Sequence, residues 1–252
     1  EMSASLVGSE MCIRDSCGTC QKRMVNSMNM KVIFLAYRQW SLNVFPAIVK
    51  HPKVSECVLC KTHEELLALD LSKYDLLITC GWSQELGEEV TGKIEAIGVH
   101  CAELDRYSYG TPIQLQIIDG ITRSKHRIFS FTYDKSSARA HTHNRLYSHE
   151  VDLDYSGNME DILEQLTVTS KVLFIRYLDD YPEIEWKQWP AEDIVRPARR
   201  PADSILSKED VARMDTEQLY NFFRCLEDPY PNGAIEDDKG TLYIQKVMYK
   251  KK

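Results

Sequence analysis

Ile97-Gly-Val-His100-Cys-Ala-Glu-Leu-Asp-Arg-Tyr-Ser-Tyr-Gly110-Thr-Pro-Ile-Gln-Leu-Gln-Ile-Ile-Asp-Gly120 is the stretch on which the reading of the fold turns. Its first four residues read as a short apolar strand that delivers His100 to its end. A polar loop with two tyrosines follows, Gly110 breaks it, and Pro112 stands where a helix begins. A strand that ends on a polar residue and passes through a loop into a helix is the unit of an open α/β sheet. In such sheets function collects at the carboxyl ends of the strands.

Working outward, the same alternation appears on both sides. Met30-Lys-Val-Ile-Phe-Leu-Ala predicts a buried strand, Leu42 to Lys50 a helix, and Val54 to Cys60 a second strand. Thr62 to Leu69 predicts a short helix with Thr62 as N-cap and Glu65 at the capping-box position. Asp75 to Cys80 predicts a third strand that breaks at Gly81, and Glu85 to Val90 a helical turn before Ile97. Downstream, Arg127 to Tyr133 and Leu146 to Leu153 predict two more strands around the polar loop that starts at Asp134. Asn158 to Leu178 predicts a long amphipathic helix. A connector marked by Pro182, Pro190, Pro197 and Pro201 leads to a helix near Thr216 to Leu226. A hairpin, Ala234 to Glu236 against Leu242 to Met248, closes the chain. The expected architecture is α/β: a mainly parallel sheet flanked by helices over 30–178, with a small C-terminal helix and β-hairpin appendage over 179–252. Residues 1–29 have no periodicity, resemble translated sequencing-adapter read-through, and are set aside as a non-native leader.

Composition narrows the function classes. The chain of 252 residues carries a formal net charge of -7, with acids and bases interspersed. That balance gives no reason to expect a nucleic-acid groove. No stretch reaches the roughly 18 apolar residues of a membrane helix, so no membrane partner is expected. The 8 cysteines come without a signal peptide, and this places the chain in a reducing cytoplasm. A zinc knuckle from Cys17 and Cys20 with Cys57 and Cys60 is disfavoured, because positions three apart in a strand face opposite sides. No G-x-G-x-x-G follows the first strand, so a dinucleotide fingerprint is absent.

His100, with Glu103, Asp105 and Tyr107 behind it, has the chemistry of a general base or a hydrogen-bond donor. His141 and His143 face the same way in an extended loop, but no third ligand stands at fixed spacing near them or His149, so no metal is expected. Arg199 and Arg200 are open to a phosphate or to no ligand, and Tyr230, between two prolines, reads as a packing residue.

The order of these motifs resembles the formyltransferase fold shared by methionyl-tRNA formyltransferases, glycinamide ribonucleotide transformylases and sugar N-formyltransferases. Four segments carry the resemblance. Tyr74-Asp-Leu-Leu-Ile-Thr-Cys-Gly-Trp-Ser-Gln-Glu-Leu is similar to the family's strand and folate-binding loop. Ile97-Gly-Val-His100 resembles its Asn-x-His strand, and Gly110-Thr-Pro-Ile-Gln-Leu-Gln-Ile-Ile-Asp-Gly its loop-to-helix segment. Arg199-Arg-Pro-Ala-Asp-Ser with Leu219 to Gly233 is similar to its Arg-x-Pro-x-Asp and Pro-Tyr-Pro-Gly elements.

The resemblance implies 10-formyltetrahydrofolate as formyl donor and a primary amine of a small molecule as acceptor, with a nucleotide-linked amino sugar the foremost choice. It implies that the amine attacks the formyl carbon and that an Asn and a His stabilise the resulting oxyanion while an Asp assists proton removal. By position His100 takes the histidine role. Trp82, Ser83, Gln84, Glu85 and Leu86, with Tyr109 and Gly110, are expected to line the donor site. The chain departs from the pattern in two places: Gly98 stands where the Asn belongs, and the Asp is replaced by His141 or His143, with Asp134 as the other option. Two further readings stay open: a binding protein of this fold without turnover, and a formyl or carbamoyl hydrolase that uses His100 with a loop histidine. The larger C-terminal tRNA-binding barrel of methionyl-tRNA formyltransferases has little support in the remaining residues, and the C-terminal hairpin would permit a homodimer.

Overall fold

Met30–Leu35 (β1) is buried at five of its six positions, Lys31 being the exception. Val32 and Phe34 face one apolar cluster, Ile33 and Leu35 another, as the two-residue period of a strand requires. A strand with both faces covered belongs in the middle of a sheet with helices on either side. The computed structural model of the protein describes residues 29–102, 105–107, 110–131, 143–189 and 196–250, so the expected leader lies outside the described residues but for residue 29.

After β1 come Gln39–Leu42 (α1), Phe45–Val49 (α2), Val54–Cys60 (β2), His63–Leu67 (α3), Leu76–Thr79 (β3), Glu88–Thr91 (α4) and Glu95–His100 (β4). Pro112–Ile118 (α5), Arg123–Phe131 (β5), His143–Asp154 (β6), Met159–Asp180 (α6) and Lys187–Gln188 (β7) follow. Ile205–Ser207 (β8), Lys208–Arg213 (α7), Thr216–Arg224 (α8), Gly233–Asp237 (β9) and Gly240–Ile244 (β10) form the extension. A seven-stranded sheet has the order β2-β1-β3-β4-β5-β6-β7. Its first four strands are parallel to one another, and β5, β6 and β7 join antiparallel. The C-terminal hairpin gains β8 as a third, parallel strand.

Several local expectations are revised by the structure. The helix expected over Leu42 to Lys50 is two short ones, because Pro46 lacks an amide hydrogen and opens a new helix near its first turn. Thr62 caps α3 by accepting from the Glu65 amide, but the Glu65 carboxylate reaches back to the Lys61 amide at 2.6 Å, one residue beyond the N-cap amide that a reciprocal box uses. The turn expected at Glu85 starts at Glu88. Three residues too short or too polar to show periodicity as strands, Ile205 to Ser207, gain their order only from pairing with β9. Cys57 packs towards the α6 face and Cys60 towards the α3 face, on opposite sides of the sheet.

Helix α6 is the longest element, 22 residues, and both its ends are held. At the start, Asn158 and Asp161 form a reciprocal capping box. Glu227 accepts from the Met159 amide at 3.3 Å, and Arg224 donates to the Tyr155 and Gly157 carbonyls. At the end, the Lys53 ammonium donates to the Asp179 and Tyr181 carbonyls, where a cation also complements the helix dipole. His51 accepts from the Lys53 amide through Nδ1, which leaves Nε2–H to donate to Asp179 at 3.1 Å. The hydroxyls of Tyr177 and Tyr181 both donate to Glu95, at the start of β4.

Beneath α6, His126 of β5 is 1% exposed and meets Thr169 through Nδ1 at 2.8 Å. The Thr169 hydroxyl hydrogen is directed at the α6 carbonyls of Gln165 and Leu166, so the imidazole is the donor here. Burial pushes its pKa down from the ordinary 6.5 to about 3. The unfolded chain therefore binds a proton at this residue below 6.5 that the folded chain refuses, so stability falls as pH drops from 6.5 towards 3. The expected loss from this residue is about 2 kcal/mol at pH 5 relative to pH 8. Urea melts of the unmodified chain and of His126→Gln at the two pH values check it. The variant is expected to lack that share of the decline, and equal declines in both chains would refute the assignment.

Candidate active site at the carboxyl edge of the sheet

The parallel strands β1, β3 and β4 lie side by side and end together, and the segments that leave them meet at one edge. After β1 come Tyr37 and Arg38. After β3 the chain turns at Gly81, whose φ of 62° suits glycine and where a Cβ would lie 2.8 Å from Trp40 Cζ2. This turn presents Trp82, Ser83 and Gln84 beside β1. The Tyr37 and Trp82 rings meet edge to face at 5.5 Å, and the Tyr37 and Ser83 hydroxyls are 2.8 Å apart. Trp82 Nε1 is buried without an acceptor among the described residues. A buried indole N–H beside an aromatic face fits a flat heterocycle that carries hydrogen-bond acceptors, as a pteridine does. Gln84 and Glu85 are exposed on the same loop, whereas Leu86 anchors it in the core below.

β4 delivers His100, which is 8% exposed. Its ring lies edge to face against Trp189 at 5.4 Å and Phe129 at 6.4 Å. Register places Arg127 of β5 opposite His100, and Glu150 of β6 opposite Arg127, one row across three strands. Arg127 Nε donates to Glu150 at 2.7 Å, and its guanidinium stacks 4.3 Å from the Tyr147 ring and 5.3 Å from that of Trp189. His100 thus has a buried guanidinium as its cross-strand neighbour and an aromatic wall beside it. Arg127, Phe129, Tyr147 and Trp189 are missing from the sequence reading. They have no local signal beyond apolar alternation: the β4–β5 register brings Arg127 and Phe129 to His100, and pairing through β6 and β7 brings Tyr147 and Trp189.

Two rows inward, on the same face of the sheet, Gly98 lies opposite Phe129. A Cβ on Gly98 would lie 2.5 Å from Thr79 Oγ1 and 2.7 Å from Phe129 Cζ. The Phe129 ring fills the space that a side chain at this position would occupy.

The loop-to-helix segment is fixed by polar contacts beneath α5. The Gln116 amide donates to the Cys101 and Pro112 carbonyls and accepts from Ser124 at 2.6 Å, while the Tyr155 hydroxyl also reaches the Cys101 carbonyl. The backbone just past His100 is therefore held in place. Gly110 abuts Ala198 of the connector, and the Arg199 amide donates to Thr111. Tyr109 and His141 lie outside the described residues. His143 opens β6 opposite Phe131, four residues along β5 from the partner of His100, a backbone separation of about 13 Å. The register brings Trp82 and His100 to one edge and does not bring the His143 backbone to them. Arg199 packs over Phe222 and donates to the Asp203 carbonyl. Among the described residues no three His, Cys, Asp or Glu side chains converge as metal ligands, and no helix is long and apolar enough to cross a membrane.

Four parallel strands continued by three antiparallel ones, a histidine at the end of the fourth and an aromatic loop after the third define the formyltransferase fold, and comparison with solved structures gives the same result. The chain is similar to the methionyl-tRNA formyltransferase of Clostridium thermocellum, with a TM-score of 0.70 and 19% identity over 88% of this chain and 94% of that one. It is similar to a sugar N-formyltransferase from Shewanella sp. FDAARGOS_354, with a TM-score of 0.67 and 13% identity over 88% and 99%. HypX from Aquifex aeolicus, solved in complex with tetrahydrofolic acid, gives a TM-score of 0.65 and 16% identity over 82% and 36%. In sequence, the chain is 24% identical over 161 residues to the methionyl-tRNA formyltransferase of Streptococcus suis (strain 05ZYH33). That match takes in 62% of this chain and spans about half, 48%, of the relative. No family model matches the chain.

Proposed function

We propose that the protein transfers a formyl group from 10-formyltetrahydrofolate to a primary amine of a small acceptor, with a nucleotide-linked amino sugar as the acceptor class. The observation that carries this reading is the meeting, at one sheet edge, of buried His100 with a Trp82 loop that offers a buried indole N–H. The likeness to sugar N-formyltransferases over nearly their whole length supports the acceptor class, and the tetrahydrofolate complex of a structural neighbour supports the donor.

When bound, 10-formyltetrahydrofolate supplies the formyl carbon and a leaving nitrogen. Trp82 and the Tyr37 ring would hold the heterocycle. His100 faces the reacting carbonyl, where an N–H donor stabilises the negative charge that gathers on oxygen and a ring nitrogen accepts the amine proton. Arg127, next to His100 in register, adds a fixed positive charge in a water-poor setting, where such charges act more strongly. Glu150 and the Tyr147 and Trp189 rings hold that charge in place.

Trp82→Ala is expected to weaken binding of 5-formyltetrahydrofolate at least about tenfold, because it removes both the ring face and the indole donor. Calorimetric titration of the unmodified and variant chains measures it, and unchanged affinity would move the donor site elsewhere. Formyl transfer to a panel of amino sugars then tests the reaction.

A second reading, a folate-binding protein of this fold without turnover, is favoured by Phe129 standing where the family's Asn side chain is expected. Donor binding without formyl transfer to any amine of the panel selects it.

A further inference from the structure

Arg38 has no part in the chemistry assigned above. It follows β1 at the carboxyl edge, half-buried, with its guanidinium carbon 5.1 Å from the centre of the Tyr37 ring and 5.3 Å from that of Tyr230. No carboxylate among the described residues lies in ion-pair range of it. The other arginines near this edge are committed. Arg127 pairs with Glu150, Arg196 with Asp119 at 3.1 Å, and Arg224 donates to Asn221 and to the carbonyls of Tyr155 and Gly157.

Stacking occupies the faces of a guanidinium and leaves its N–H edge for an oxyanion. The surroundings add donors. The Tyr37 and Ser83 hydroxyls share one hydrogen bond, and each carries one hydrogen, so one hydrogen of the two remains for a ligand. Tyr230 interacts with the side chain of Gln114, a buried residue of α5's first turn. A guanidinium without a carboxylate among the described residues and a spare hydroxyl hydrogen suit an anion with several oxygens. Tyr37 touches both Trp82 and Arg38, so Arg38 sits beyond the donor loop, where the C-terminal extension meets the sheet edge.

We propose that Arg38, with Tyr37, Ser83 and Tyr230, binds a phosphate or diphosphate group of the acceptor substrate. Assignment of the anion to the acceptor rests on the formyl-transfer reading, whereas the anion site itself does not. The donor also carries anionic carboxylates, so the test separates the two sources.

Full-length protein is titrated in a calorimeter with inorganic pyrophosphate, with uridine diphosphate and with 5-formyltetrahydrofolate. Pyrophosphate and uridine diphosphate are expected to bind, Arg38→Met to weaken both at least about tenfold, and Arg38→Lys to recover part of the loss, since a point charge replaces a fork. The affinity for 5-formyltetrahydrofolate is expected to change less than about twofold. Because Arg38 also stacks on the extension, the double variant Tyr37→Phe with Ser83→Ala leaves the stacking and removes the hydroxyls. It is expected to weaken pyrophosphate roughly threefold at an unchanged Tm. Absence of pyrophosphate binding, or equal binding by Arg38→Met, overturns the site. A loss confined to 5-formyltetrahydrofolate overturns the acceptor assignment in favour of the donor's carboxylates. Pyrophosphate binding that depends on Arg38, in a protein that formylates no amine, supports the anion site while the reaction fails.

Discussion

His100→Ala is expected to lower formyl transfer by two to four powers of ten while the affinity for 5-formyltetrahydrofolate changes only a few-fold. The range is that of a positioned general acid–base group or a single oxyanion donor. The split between turnover and binding follows from the geometry. His100 is walled by Phe129 and Trp189, whereas the ring face and buried indole N–H that suit the heterocycle belong to Tyr37 and Trp82. Because His100 is buried, a thermal melt accompanies the kinetics, and His100→Gln, which keeps a donor of similar reach, separates lost chemistry from lost packing. Turnover within a few-fold of the unmodified chain in both variants would remove His100 from the chemistry.

Gly98→Asn, which restores the residue that the family resemblance expects there, is expected to destabilise the chain by about 3 kcal/mol. A side chain at this position meets Thr79 Oγ1 and the Phe129 ring below ordinary contact distance, and both neighbours belong to paired strands that yield little. Phe129→Ala leaves a cavity and is expected to cost a similar amount, about 3 kcal/mol. Joined in one chain, each change relieves the other, and the double variant is expected to be more stable than the sum of the two losses by more than about 1 kcal/mol. Urea unfolding of the four chains measures the coupling. Additive losses, or a Gly98→Asn chain as stable as the unmodified one, would show that the two positions do not compete for the same space.

The parts of this molecule that the sequence displays are those with local causes. β1 is legible because all but one of its side chains are apolar, α5 because Pro112 opens it, and α6 because Asn158 caps it and its apolar positions recur at helical spacing. His100 and Trp82 could be picked out because each follows a strand in a segment that resembles the formyltransferase fold. The features that stay hidden come from distant pairing. The break between α1 and α2 is the exception, a local one set by Pro46 within an otherwise helical pattern. β7 and β8 are two and three residues long and exist as strands only through their neighbours. Arg127 and Trp189 reach His100 through the β4–β5 register and through β7, and Arg38 meets Tyr230 across 192 positions of chain. No periodicity encodes such contacts. The expectation that Tyr230 serves packing is compatible with its place, since it packs on the core of the extension and also stacks on Arg38.

α6 works as a gauge block. Its 22 residues measure about 33 Å between the Glu227 and Arg224 grip at one end and the Lys53, His51 and Glu95 grip at the other. A helix rises about 1.5 Å and turns about 100° per residue, so one residue gained or lost within it swings Tyr177 and Asp179 off Glu95 and His51. Point changes along its outer face leave that length untouched. In this protein, insertion and deletion are therefore far more restricted along α6 than substitution is. The distance from the extension to the start of the His100 strand is set by counting residues rather than by any one of them.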